Sequence, residues 1–175
     1  MKKYLIPILF TILFFNLNAK DYSVDSPSGK ISIKISVDDV INYSVFLDGA
    51  EIVAHSTISL EINDGTIWGK DVRVKKAKLI SVSEEIVPVI KRKYATIQNE
   101  YNQLTLSFKE NELHFRAFDE GAAYRWVSVK KGKYNVINEQ ATFAFPSDHK
   151  TWFPEEESMF SHQERLYEAV NLTEI

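Results

Sequence analysis

Reactive side chains in this 175-residue chain are scattered rather than grouped. The four histidines are His55, His114, His149 and His162. None has the H-x-x-x-H spacing that sets two imidazoles on one metal ion. Cysteine is absent, which excludes thiolate zinc or redox chemistry and a disulfide framework. No G-x-S-x-G turn presents a serine nucleophile. The run Glu155-Glu156-Glu157 offers either a cation site or a solvated loop, and consecutive loop carboxylates are more often solvated. Lys91-Arg92-Lys93 offers an anion or polysaccharide contact, yet so short a run favours a solvated strand face. Trp152 and Phe153 present flat rings of the kind that stack on sugar C–H patches. The competing reading, a hydrophobic plug under a loop, fits them equally well.

The first 19 residues have the pattern of an export signal. Lys2 and Lys3 precede an apolar run from Tyr4 to Phe15, and Ala19 supplies a small residue for cleavage. A membrane anchor would need about 20 apolar residues, more than this run has. A lipid-modified cysteine is excluded because there is none. Taking Lys2 and Lys3 from the 21 basic residues leaves 19 against 24 acidic ones, so residues 20–175 carry about −5. Such a balance argues against nucleic acid as a partner. The length suits one sizeable core, held by packing alone.

These residues sit in a chain of short alternating runs. Ile31, Ile33, Ile35 and Val37 alternate with Ser32, Lys34 and Ser36, a strand with one wet face. Asp38-Asp39 turns the chain into Ile41–Leu47, and Asp48-Gly49 is a strong hairpin signal. Glu51–Val53 follows, then a polar break at His55-Ser56-Thr57, then a strand over Ile58–Ile62 and a turn at Asp64-Gly65. Trp68-Gly69 reads as a bend with an anchoring indole. Lysine-rich Val72–Val82 reads as an edge strand or loop margin, and Pro88 marks another edge. Glu100–Phe108 leads into the hairpin 113–129, turned at Asp119-Glu120-Gly121, where Gly121 can supply a positive φ. Both faces of this hairpin are largely apolar, so it is expected at the centre of a sheet packed on both sides. His114 alternates with core residues and reads as structural. Tyr134–Phe145 supplies one or two more strands. Ser147–Ser161 reads as a loop with a short helix near its end, and His162–Ile175 as a strand or helix. About ten short strands with Asp-Gly turns predict an all-β, antiparallel sandwich, one domain over 20–175 after the signal 1–19.

The stretch FRAFDEGAAYRW, Phe115 to Trp126, resembles the F-R-x-[YF]-x-D/E-G-x-A-[FY]-R signature in the N-terminal domain of glycoside hydrolase family 97. The matching residues are Phe115, Arg116, Phe118, Gly121, Ala123 and Arg125. Ser26-Pro27-Ser28-Gly29, the strand ending at Asp64-Gly65, and Glu139, Thr142, Phe143, Phe145 and Pro146 are similar to further family patterns. The resemblance spans nearly all of residues 23–170.

It implies a secreted calcium-dependent α-glucosidase or α-galactosidase of Bacteroidetes-type bacteria. Such enzymes open with a galactose-mutarotase-like sandwich, followed by a (β/α)8 barrel and a small all-β domain. Glycoside hydrolysis needs two carboxyl groups flanking the bond, and in the family these lie in the barrel. No hydrolysis is therefore expected from this chain alone. The family's calcium takes one ligand from the sandwich, a Glu following a Tyr. Tyr167-Glu168 matches, so Glu168 is the implied metal ligand, with Glu164 and Glu174 as rivals. The family's sandwich would be incomplete at residue 175, so the chain reads as a fragment or truncated frame. A free-standing secreted carbohydrate-binding sandwich and a non-functional remnant stay open beside it.

Overall fold

In a computed structural model that describes residues 20–90, 93–156, 158, 160 and 165–175, the alternating runs become strands. The proposed signal 1–19 lies outside the described residues. β1 (Lys20–Asp25), β2 (Ile31–Val37), β3 (Ile41–Leu47) and β4 (Ala50–Ile62) form an antiparallel meander. β5 (Ile67–Trp68) and β10 (Val136–Ala141) also pair with β4, giving a six-stranded sheet. β6 (Lys76–Ile86), β7 (Ile97–Ser107), β8 (Asn111–Phe118) and β9 (Gly121–Ser128) form a second antiparallel meander. β11 (Lys150–Phe153) and β12 (Glu168–Asn171) make a separate two-stranded ribbon, followed by a 3-10 turn over Leu172–Glu174.

The two large sheets face each other. Ile31, Ile33, Ile35 and Val37 of β2 and Ile41, Tyr43 and Val45 of β3 meet Leu104 and Leu106 of β7 and Leu113, Phe115 and Ala117 of β8. Because strand side chains alternate with period two, each strand gives one set of residues to this layer and the other to the outside. A smaller cluster at one end joins Leu60, Ile62 and Trp68 to Trp126 and Tyr134. The expected antiparallel sandwich is what forms.

Several local expectations need correction. The hairpin β8–β9 is not central: β9 is the edge of the four-stranded sheet, and only the inward face of β8 is fully buried. The outward residues are too charged to sit under a third layer. Gly121 is not among the positive-φ glycines and pairs with Phe118, so the turn is Asp119-Glu120 alone. No strand break occurs at His55-Ser56-Thr57. β4 runs through it, with irregular register against β3. Ser56 is fully buried there, donating to the Ala54 carbonyl (2.8 Å) and accepting the Ala144 N–H (2.9 Å). Residues 150–153 form a strand inside the segment read as a loop. The edge strand read over Val72–Val82 is β6, shifted to Lys76–Ile86, and no strand spans Pro88 as the Ile86–Ile90 edge reading expected.

Other readings stand as made. Asp48 and Gly49 both take positive φ, 49° and 83°, as a two-residue hairpin turn requires. Trp68 is buried at a bend. Among the described residues no helix is long and apolar enough to cross a membrane.

Candidate functional site

The ribbon brings together the three residues singled out for ligands. Trp152 stands opposite Ala169, and Phe153 stands directly opposite Glu168. Directly opposed residues share a face, so the Glu168 carboxylate and the Phe153 ring lie on one side, while neighbouring Trp152 turns to the other. Trp152 is 68 % exposed. It is therefore not a plug under a loop.

The segments flanking the two ribbon strands are bonded to each other. Thr173 donates its N–H (3.0 Å) and hydroxyl (2.9 Å) to the two Asp148 carboxylate oxygens. The Leu172 N–H reaches the His149 carbonyl at 3.0 Å, and His149 stacks edge-on against Phe145. Glu174, one rival for the metal, accepts the Asn171 N–H at 2.7 Å and so serves the turn. Glu164, the other rival, lies outside the described residues, as do His162, Glu157 and the Lys91-Arg92 pair. Glu156 of the acidic run lies 3.3 Å from Arg165. Among the described residues no three His, Asp or Glu side chains converge as a metal site would require. One carboxylate offers two oxygens, whereas calcium takes about 6–8. The described residues do not by themselves build a calcium cage.

Two further features lay outside the sequence reading. The first is an apolar cleft of about 590 Å³ between the sheets, lined by Ile33, Val45, Val53, Phe115, Tyr124 and Phe143. It opens where β9 ends the four-stranded sheet while the facing sheet continues. Tyr43, at its floor, donates its hydroxyl to the Thr142 carbonyl (3.0 Å), and burial pushes its pKa up to about 12.

The second is a polar network on the outward face of the β6–β9 sheet. Glu112 accepts from Ser107 (3.0 Å) and lies 2.9 Å from His114 Nε2. The His114 contact holds the Glu112 carboxyl below its usual range. Arg116 donates Nε–H to Gln103 (2.7 Å) and lies 4.4 Å over the Tyr101 ring. His114 is thus structural, as expected, though on the outward face. The strand parity of Glu112, His114 and Arg116 was the available signal for the network.

Similarity to known proteins matches this architecture. A family profile described as Glycosyl-hydrolase 97 N-terminal matches residues 24–175. A retaining alpha-galactosidase of Bacteroides thetaiotaomicron is 33 % identical over 150 residues, covering 85 % of this chain and 22 % of that protein. The chain thus spans about a fifth of the length of the curated relative it matches. Among solved structures, a glycoside hydrolase family 97 enzyme of Pseudoalteromonas sp. strain K8, in complex with acarbose, superposes with a TM-score of 0.67 at 21 % identity, covering 77 % of this chain and 22 % of that one. A beta-arabinopyranosidase superposes with a TM-score of 0.73 at 20 % identity, covering 85 % and 26 %. These last two speak for the fold. With the profile match covering most of the sequence, the chain belongs to the N-terminal domain family of the family 97 glycoside hydrolases.

Proposed function

We propose that this chain is the non-catalytic N-terminal sandwich of an exported, calcium-dependent glycoside hydrolase acting on α-glucosides or α-galactosides. Its role is to support a (β/α)8 barrel that lies outside this sequence, to close one side of the sugar pocket, and to add one carboxylate to a calcium site completed elsewhere. Residues 1–19 act as its signal, with the periplasm as the destination.

The observation that carries this reading is the ribbon register. Phe153, chosen for sugar stacking, and Glu168, chosen as a metal ligand, stand opposite each other on one face. The relatives support the substrate class: one is named a retaining alpha-galactosidase, another was obtained with acarbose. Glycoside hydrolysis needs two carboxyl groups flanking the bond; the reading assigns both to the barrel, so it expects no catalytic step from this chain alone.

Exposure of the Trp152 indole favours a second reading, a free-standing secreted carbohydrate-binding sandwich. Affinity-gel electrophoresis on immobilised α-glucan and α-galactan, with calcium and with chelator, separates the two. The support role expects no retardation by either gel and no release of sugar. Retardation that persists in chelator and disappears in Trp152→Ala would replace it with the binding module. Hydrolysis by the purified chain would overturn both.

A further inference from the structure

We propose that the outward face of the β6–β9 sheet docks an acidic polypeptide segment, with Arg116 and Arg125 taking a carboxylate side chain at its centre. The proposal is independent of the calcium reading, because it concerns a different sheet and no metal.

Strand parity puts Lys76 and Lys78 of β6, His114 and Arg116 of β8, and Arg125 of β9 on this face. Two carboxylates share it, and both are engaged: Glu112 with His114 and Ser107, and Glu84, at the far end of β6, with Asn99. His114 and Arg125 stand directly opposite in register. Arg125 and Lys78 have no hydrogen-bond or ion-pair partner among the described residues.

Arg116 is held ready for such an anion. Its Nε–H is fixed by Gln103 and its plane lies over Tyr101, and both supports are buried, at 7 % and 6 % exposure. That arrangement leaves the two terminal nitrogens of the guanidinium to form the fork that matches a carboxylate. A hollow of about 140 Å³ lies among His114, Arg116, Phe118, Ala123 and Arg125. Sites for free small molecules run to about 300–1,000 Å³, so a single side-chain carboxylate suits this hollow better than a sugar ring. Among the described residues β9 is the last strand of its sheet, and its backbone edge runs beside the hollow. An extended peptide can pair with such an edge, whereas a glycan cannot use it in register. Polypeptide is therefore the occupant.

The test is an NMR titration of the purified chain with an Asp-Gly-Asp-Gly-Asp peptide, following the Arg116 and Arg125 side-chain Nε–H signals. A galacturonate oligosaccharide of equal charge is the comparison. Saturable shifts with the acidic peptide are expected, weakening as salt is raised. Arg125→Gln, at an exposed edge position, should keep the fold and weaken binding about tenfold. Lys34→Gln, the same charge change on the opposite sheet, should leave binding unchanged. Equal loss in both variants would reduce the effect to net charge and overturn the proposal. So would the absence of saturable shifts, or tighter binding of the galacturonate.

Discussion

Gly69 has φ +92°, and a Cβ added there would meet the Ile58 carbonyl oxygen at 2.7 Å and the Trp126 ring at 3.2 Å. Gly49 has φ +83° with nothing within 4 Å. Both substitutions to alanine carry the backbone strain of about 1–3 kcal/mol, but only Gly69→Ala adds a clash with rigid backbone. Urea unfolding should therefore show Gly69→Ala well below Gly49→Ala, and equal midpoints would refute the packing argument. Asp64 gives a pH prediction. Hydrogen bonds from Thr66 and Lys130 lower its pKa from 3.8 to about 2, against a small opposing desolvation. A depressed folded-state pKa contributes stability above the unfolded value, and that contribution is lost as pH falls through the folded one. Asp64→Asn should thus lower the melting temperature at neutral pH. The gap from wild type should close between pH 3.8 and about 2. At the ribbon, Trp152→Ala should change stability by no more than about 0.5 kcal/mol, because the side chain is exposed. A larger loss in thermal denaturation would return it to a packing role.

At the scale of strands, β8 carries the centre of the core. Phe115 is 1 % exposed and meets both Tyr43 and Tyr124 at 6.2 Å. Phe115→Ala should cost about 3–5 kcal/mol in chemical denaturation. The strands with strict alternation, β2 above all, were legible because each apolar residue faces one layer and each polar residue the other. Asp48-Gly49 was legible because its turn geometry demands those residue types. β4 was misread because Ser56 looks like a breaker locally, while its hydroxyl serves a backbone N–H 88 residues away. The ribbon was missed for the same physical reason. β11 and β12 pair across a long connection, and no local period announces a partner. Trp152, Phe153 and Glu168 were chosen one at a time, and only the register shows that Phe153 and Glu168 stand opposite each other.

Among the described residues a six-stranded sheet faces a four-stranded one, and the apolar cleft beside β9 follows from that inequality. Phe143 is 56 % exposed at the cleft and Leu47 40 %. The native chain should bind the dye ANS there. Phe143→Lys should reduce the fluorescence without altering a β-type circular dichroism spectrum. Unchanged fluorescence would place the dye elsewhere. The curated relative is several times longer than this chain.

The return of β10 to β4 makes the last pairing of the large sheet a distant one. Asn135 reaches back 72 residues to bond Asn63, and the Tyr43 hydroxyl reaches 99 residues forward to Thr142. Until those late residues pair, the outer flank of β4 is left without its β10 partner. Such distant pairings are slow to close, on the order of milliseconds to seconds, and a naked flank invites its neighbours. Refolding from denaturant should therefore lose more material to aggregation as protein concentration rises.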